Sequence, residues 1–239
     1  MAPCTEIMKI IQKELCHIVE SAQTTPLFND REDAGNKLLG LIGKGDYTNP
    51  VLIGVVNGGI PVSIGIKNAW GIPLYVCHAA KIPLSDDRRF GIGAIVDGHM
   101  LFNKDLLNFF GLRESEYHEG VIESAYSQLR SSIDELGQYT IRPQDLKDKE
   151  AIVVDDGMAT GYTALAVATY LRAFNPKRLV IATPIASEYA CDLLRSNGLE
   201  CIACHQISGP EILIDNFYRS FPQLSSSQVR IMLEQEASI

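Results

Sequence analysis

The sequence predicts an α/β fold: a doubly wound, mainly parallel sheet with a helical insertion. Two observations predict it. Short apolar runs of strand length alternate along the chain with segments of helical period. Two glycine-bearing stretches, 57–61 and 156–163, each follow such a run. In a parallel sheet both then lie beyond the carboxyl ends of their strands, on the edge where ligands bind.

The elements follow in order. Ile7, Ile10, Ile11, Leu15, Ile18 and Val19 give residues 6–20 a helical spacing. A second helix starts after Asn29 or Asp30, either of which can cap it, and runs through Leu38 to Ile42. Val51 to Val56 is a β-branched apolar run, hence a buried strand. It ends at Asn57-Gly58-Gly59-Ile60-Pro61, after which Val62 to Trp70 reads as a helix. Leu74 to His78 is the next strand, and 81–100 a loop with a short hairpin in which Gly91 and Gly93 allow sharp turns. Residues 103–138 are polar and mainly helical, an arm inserted before the next core strand. Residues 151–154, 178–185 and 199–204 read as strands. Helices run from Ala164 to Phe174, from a Ser187 cap through Ser196 to Gly198, and from a cap at Ser225 to Ser227 through Glu234. The expected organisation is an N-terminal helical extension at 1–25 and a domain at 26–239 carrying the insertion at about 103–138.

Composition narrows the function classes. The 239 residues are 46% hydrophobic and 21% charged, as in an ordinary globular domain. A net charge of −8 argues against general nucleic-acid binding. No apolar stretch reaches the length of a membrane span, and no secretory signal pattern stands at the N-terminus. Six cysteines without that pattern point to reduced thiols in the cytoplasm. Cys201-Ile202-Ala203-Cys204-His205 spells a haem-attachment motif, but in a strand its two cysteines point to opposite faces, as core residues would.

The densest chemistry lies in Val153-Val154-Asp155-Asp156-Gly157-Met158-Ala159-Thr160-Gly161-Tyr162-Thr163. A strand, a tight loop and a helix N-terminus together make an anion site, because backbone N–H groups point outward and the helix dipole favours negative charge. Thr160 and Thr163 add hydroxyl donors, and Gly157 and Gly161 let the backbone approach a phosphate. Asp155 and Asp156 stand at the rim, placed to accept bonds from sugar hydroxyls.

This run resembles the ribose-phosphate loop of type I phosphoribosyltransferases, which use 5-phosphoribosyl 1-pyrophosphate (PRPP). The resemblance implies that Asp155 and Asp156 hold the ribose hydroxyls and that Gly157, Met158, Ala159, Thr160, Gly161, Tyr162 and Thr163 cradle the 5′-phosphate. Asn57, Gly58 and Gly59 then occupy the place of the pyrophosphate loop. Segment order is similar to the stand-alone predicted phosphoribosyltransferases of bacteria and archaea. That likeness rests on Phe28 to Gly35, Gly58 to Val62, Lys81-Ile82, Gly93 to Ile95, the 153–163 run and Pro184 to Ser187. It implies a Rossmann-like phosphoribosyltransferase fold with a small hood, formed by the 103–138 arm or by the C-terminal region.

Two positions depart from that group. It usually carries Arg before the Gly-Gly pair, where this chain has Asn57, and Arg-Lys where this chain has Ala80-Lys81. Both arginines are expected to face pyrophosphate, where planar guanidinium groups bind bidentately. Lys81 is expected to act in catalysis with Asp155 and Asp156, and Arg88 and Arg89 are placed to compensate from the following loop. The resemblance implies Mg²⁺ as cofactor, with no direct protein ligand assigned, and transfer of phosphoribose to a small nitrogenous acceptor with release of pyrophosphate. Ala159 stands where hypoxanthine-guanine enzymes carry an Asp that serves the base, which argues against a 6-oxopurine. Phe217, Tyr218 and Phe221 read as core aromatics before stacking faces. A homodimer is expected. The alternative is a catalytically weak or inactive PRPP- or nucleotide-binding regulatory protein of the same fold.

Overall fold

The computed structural model describes residues 25–83, 91–109, 119–208 and 212–237. The helix expected at 6–20 and the pair Arg88 and Arg89 lie outside them. In chain order the strands are β1 (Pro50–Val55), β2 (Leu74–Cys77), β3 (Ala79–Pro83), β4 (Gly91–Val96), β5 (His99–Phe102), β6 (Glu150–Val154), β7 (Arg178–Ser187) and β8 (Glu200–Ile207). The helices are α1 (Arg31–Leu39), α2 (Gly59–Trp70), α3 (Lys104–Phe109), α4 (Glu119–Leu136), α5 (Pro143–Leu146), α6 (Tyr162–Arg172), α7 (Glu188–Ser196) and α8 (Ser226–Ala237).

Five strands form the doubly wound parallel sheet, in the order β2-β1-β6-β7-β8. Strand alternation sends Val51, Ile53, Val55, Ala151 and Val153 to one face, against Val167, Leu171 and Leu194 of α6 and α7. Leu52, Ile152 and Val154 point to the other, against Leu38, Val62 and Ile66 of α1 and α2. Both faces are covered, which is why these strands read as continuous apolar runs. Each fully buried Leu or Ile here stabilises the fold by about 2–3 kcal/mol relative to leaving it in water.

The helix ends obey the local signals. Asp30 caps α1 by accepting from the Asp33 N–H, and Ser187 caps α7 by accepting from the Ala190 N–H. At the end of α7 Gly198 takes φ +67°, with Gly198 N–H donating to the Arg195 carbonyl and Leu199 N–H to that of Leu194. Ser225 and Gln228 exchange side-chain bonds with each other's N–H groups ahead of α8, a capping box.

One region differs from the sequence expectation. In place of a loop with a short hairpin, 79–102 forms a three-stranded antiparallel sheet, β3-β4-β5, apart from residues 84–90, which are not described. Gly91 and Gly93 are strand residues: a Cβ on Gly93 would overlap the Leu101 carbonyl, and one on Gly91 the Lys81 stem. Close neighbours, not turns, require these glycines. β4 is buried along its whole length, with Ile92 and Ile95 packed with Leu107, Ala125 and Leu129 of the insertion. The described parts of the arm, α3 and α4, are helical and share a small core with this sheet. His78, buried at the end of β2, ties the arm to the main sheet by bonds to Ser132 Oγ at 2.8 Å and Thr140 Oγ1 at 2.7 Å.

Cys201 and Cys204 do point to opposite faces. Cys201 lies with Cys191, their sulfurs 3.4 Å apart, and Cys204 packs with the clusters across the sheet. Among the described residues no group of three or more His, Cys, Asp or Glu could hold a metal ion, and no helix is long and apolar enough to cross a membrane.

Candidate active site

The strand order reverses between β1 and β6. The chain moves outward from β1 to β2, then returns to lay β6 on the other side of β1. Gly54 pairs with Val154, so the two strands end at the same level. The loops that follow them leave side by side, and the crevice between such loops is where open parallel sheets bind ligands. A cavity of about 750 Å³ opens there, within the range of small-molecule sites.

The loop after β6 is held by backbone bonds. Met158 N–H donates to the Ile185 carbonyl, and Ser187 N–H to the Met158 carbonyl, both at 2.9 Å. The Ser187 hydroxyl, besides capping α7, donates to the Ala159 carbonyl at 2.5 Å. Gly161 takes φ +77° at the start of α6, a conformation that favours glycine. First-turn N–H groups of a helix have no intrahelical partner, and Thr163 and Ala164 of α6 border the cavity.

The loop after β1 is held by side chains. The Asn57 amide donates to the Leu224 carbonyl at 2.9 Å, and Ser226 Oγ donates to Asn57 Oδ1 at 3.4 Å. Gly58 faces Asp156 so closely that a Cβ would overlap its carboxylate.

Asp155, Asp156, Lys81, Asn57, Gly58, Gly157, Met158, Ala159, Thr160, Gly161 and Thr163 all border the one cavity. Gly59 and Tyr162 do not: each is buried in the first turn of its helix. Ala80 is turned away. Alternation along β3 puts Ala79 and Lys81 on the cavity and Ala80 in the insertion core, so an arginine at position 80 would not face the cavity in this arrangement. Burial first, and the neighbouring Asp156 second, hold the Asp155 carboxyl well above the usual carboxylate range, with Lys81 opposing.

The C-terminal segment closes the cavity. Ile212, Leu213, Ile214, Phe221 and Leu224 border it, and so does Leu106 of α3, so both candidate hood segments contribute. Phe217 and Tyr218 are core residues, as read; Phe221 is at the cavity wall. The Tyr218 hydroxyl donates to the Asp156 carbonyl at 2.6 Å, and burial pushes its ionisation up, so it remains a donor. Arg31 was not singled out by the sequence, although it lies in a segment that carried the family likeness. It is 7% exposed, and its Nε donates to Asp156 Oδ2 at 2.8 Å. A contact across 125 residues leaves no trace in local sequence.

Residues 106–190, which hold the whole β6–loop–α6 unit, match the phosphoribosyl transferase domain family. A Mycobacterium tuberculosis (strain CDC 1551 / Oshkosh) protein named "Putative phosphoribosyl transferase" is 26% identical over 212 residues, 87% of this chain and 46% of that one. The chain spans about half the length of the curated relatives it matches. A uracil phosphoribosyltransferase of Porphyromonas gingivalis (strain ATCC 33277) is 34% identical over 107 residues, 44% of this chain and 47% of that one. Among solved structures, one from Thermus thermophilus shares the fold, with a TM-score of 0.65 at 24% identity over 87% of this chain and 98% of that one.

Proposed function

We propose that this protein transfers a 5-phosphoribosyl group from PRPP to a small nitrogenous acceptor and releases pyrophosphate. The observation that carries the reading is the single cavity between the β1 and β6 loops, which brings the carboxylate pair, the helix N-terminus and Lys81 together. In this reading the 157–163 loop anchors the 5′-phosphate through backbone N–H groups and the Thr160 and Thr163 hydroxyls. Asp155 and Asp156 accept from the sugar hydroxyls, the Asp155 carboxyl being held above the usual carboxylate range by burial and by Asp156 beside it. Gly58 and Asn57 border the pyrophosphate, and Lys81 offsets charge that builds on it as the bond to ribose breaks. Positioning and electrostatics do most of the work.

Asp155 and Asp156 are hard oxygen donors, and two carboxylates fit a hydrated magnesium ion shared with substrate oxygens better than an all-protein cage. Magnesium, when bound, neutralises charge on the pyrophosphate oxygens.

A second reading, a PRPP- or nucleotide-binding regulator, is favoured by two contacts. Asn57 replaces an arginine and spends its amide on Leu224, and Asp156 is already paired with Arg31. Pyrophosphate release from PRPP and magnesium across a panel of nitrogenous acceptors separates the two: turnover with any acceptor supports the enzyme, and binding without turnover the regulator.

A further inference from the structure

The cover of the cavity and its sugar-facing carboxylate share one side chain. Arg31 Nε donates to Asp156 Oδ2 at 2.8 Å. Its Nη1 donates to the Pro222 carbonyl at 2.8 Å. The same guanidinium lies over the Phe221 ring, 3.7 Å from the centroid. Residues 217–220 are held separately: the Phe217 carbonyl accepts from Leu27 and Phe28 N–H groups, Arg219 and Ser220 N–H groups donate to the Phe28 and Asn29 carbonyls, and Phe217 and Tyr218 pack with Phe28. These pin 217–220; on 221–224, Arg31 bonds the Pro222 carbonyl and Asn57 the Leu224 carbonyl, while Phe221 stacks beside Tyr218 and Leu224 packs with Val229 and Leu233.

We propose that Arg31 is a positioning residue that couples the sugar end of the cavity to its C-terminal cover. A planar guanidinium can pair edge-on with a carboxylate, donate to a carbonyl and stack on an aromatic face at once; an ammonium cannot. Asp156 needs such a restraint. Gly58 stands against the carboxylate on one side, and Asp155 Oδ1 accepts the Asp156 N–H at 2.9 Å, so its backbone is fixed while its side chain is held by the Arg31 pair. Because the pair is nearly withdrawn from water, with side chains 8% and 17% exposed, loss of the cation leaves a carboxylate poorly matched to its place. It then turns away from the orientation a sugar diol requires, and the 221–224 stretch loosens. The ligand half of this inference rests on the phosphoribosyl reading above.

The experiment uses the full chain with Arg31→Gln and Arg31→Lys, read by hydrogen exchange and by calorimetric titration with magnesium PRPP and magnesium pyrophosphate. In Arg31→Gln the amides of 221–226 exchange about tenfold faster while β1 and β6 keep their protection. PRPP affinity falls about tenfold or more, whereas pyrophosphate, which carries no sugar hydroxyls, stays within about twofold. Arg31→Lys regains part of the PRPP affinity but not the protection of 221–226. Unchanged exchange at 221–226, equal weakening of both ligands, or a matching rise in exchange at β1 and β6 overturns the proposal. If the wild type binds neither ligand the phosphoribosyl reading fails, and exchange at 221–226 alone then upholds or overturns the coupling.

Discussion

The loops after β6 and β1 leave neighbouring strands at the same level, yet they are held in different ways. The β6 loop is stitched to the end of β7 through main-chain atoms and the Ser187 hydroxyl. The β1 loop depends on Asn57, which reaches a C-terminal segment 167 residues away. A loop fixed by backbone bonds to its own sheet is ordered as soon as the sheet forms. A loop fixed by a distant side chain is ordered only when the chain's last segment docks. The difference makes the β6-loop end of the cavity permanent and the β1-loop end adjustable.

The sharpest way to break this comparison is to fill the contact between the two loops. Gly58→Val drives a side chain into the Asp156 carboxylate, and PRPP affinity is expected to fall by about two orders of magnitude, as loss of site geometry does. Titration calorimetry reads it. A fall of less than about threefold would mean that the β1 loop does not need to approach Asp156.

The frame needs a separate control, because the pH of any such assay also acts on His78. Burial lowers the His78 pKa to about 4. A depressed histidine contributes stability in full above its unfolded value near 6.5, and loses it as pH falls from there towards 4. The chain should therefore lose about 2 kcal/mol between pH 7.5 and pH 5 from this group alone. Urea unfolding at the two pH values checks it, and His78→Gln should flatten the difference.

Ser187→Ala tests the backbone-stitched loop. It removes the cap of α7 and the bond to Ala159 together, and should cost about 1–2 kcal/mol in unfolding free energy. Inorganic phosphate affinity should fall with it, by about threefold to tenfold. Stability lost without any change in phosphate affinity would show that the loop holds without its clamp.

Asn57→Arg sharpens the contrast from the other side. It restores the residue found at this place in the group the sequence resembles and gives up the Leu224 contact. Pyrophosphate affinity is expected to rise about fivefold to tenfold, the worth of one added guanidinium contact. No gain would mean that the docked C-terminal segment, rather than position 57, sets affinity at that end.

The two ends also differ in how far they could be read from sequence. The β6 loop is local in its sequence: an apolar run, two carboxylates, a small-residue loop and a helix follow one another within eleven consecutive residues. The central strands β1, β6 and β7 were legible because burial on both faces leaves apolar runs such as Val51 to Val55. β4 was not, because Gly91 and Gly93 look like turn residues until β3 and β5 are brought against them. Arg31 and the cover were not, because their partners lie 125 and 191 residues apart and their packing has no period. Position 80 was misplaced by one step of strand alternation, which is enough to turn a side chain from the cavity into the insertion core.

The proposed PRPP site lies in the cavity between the β1 and β6 loops and is built on Asp155 and Asp156. Calorimetric titration of PRPP into the full chain, with and without magnesium, beside the Asp155→Asn/Asp156→Asn variant, tests it most directly. Magnesium-dependent binding by the wild type that the double variant loses is the expected result. PRPP binding that survives in the double variant, or no binding by the wild type at all, would contradict it.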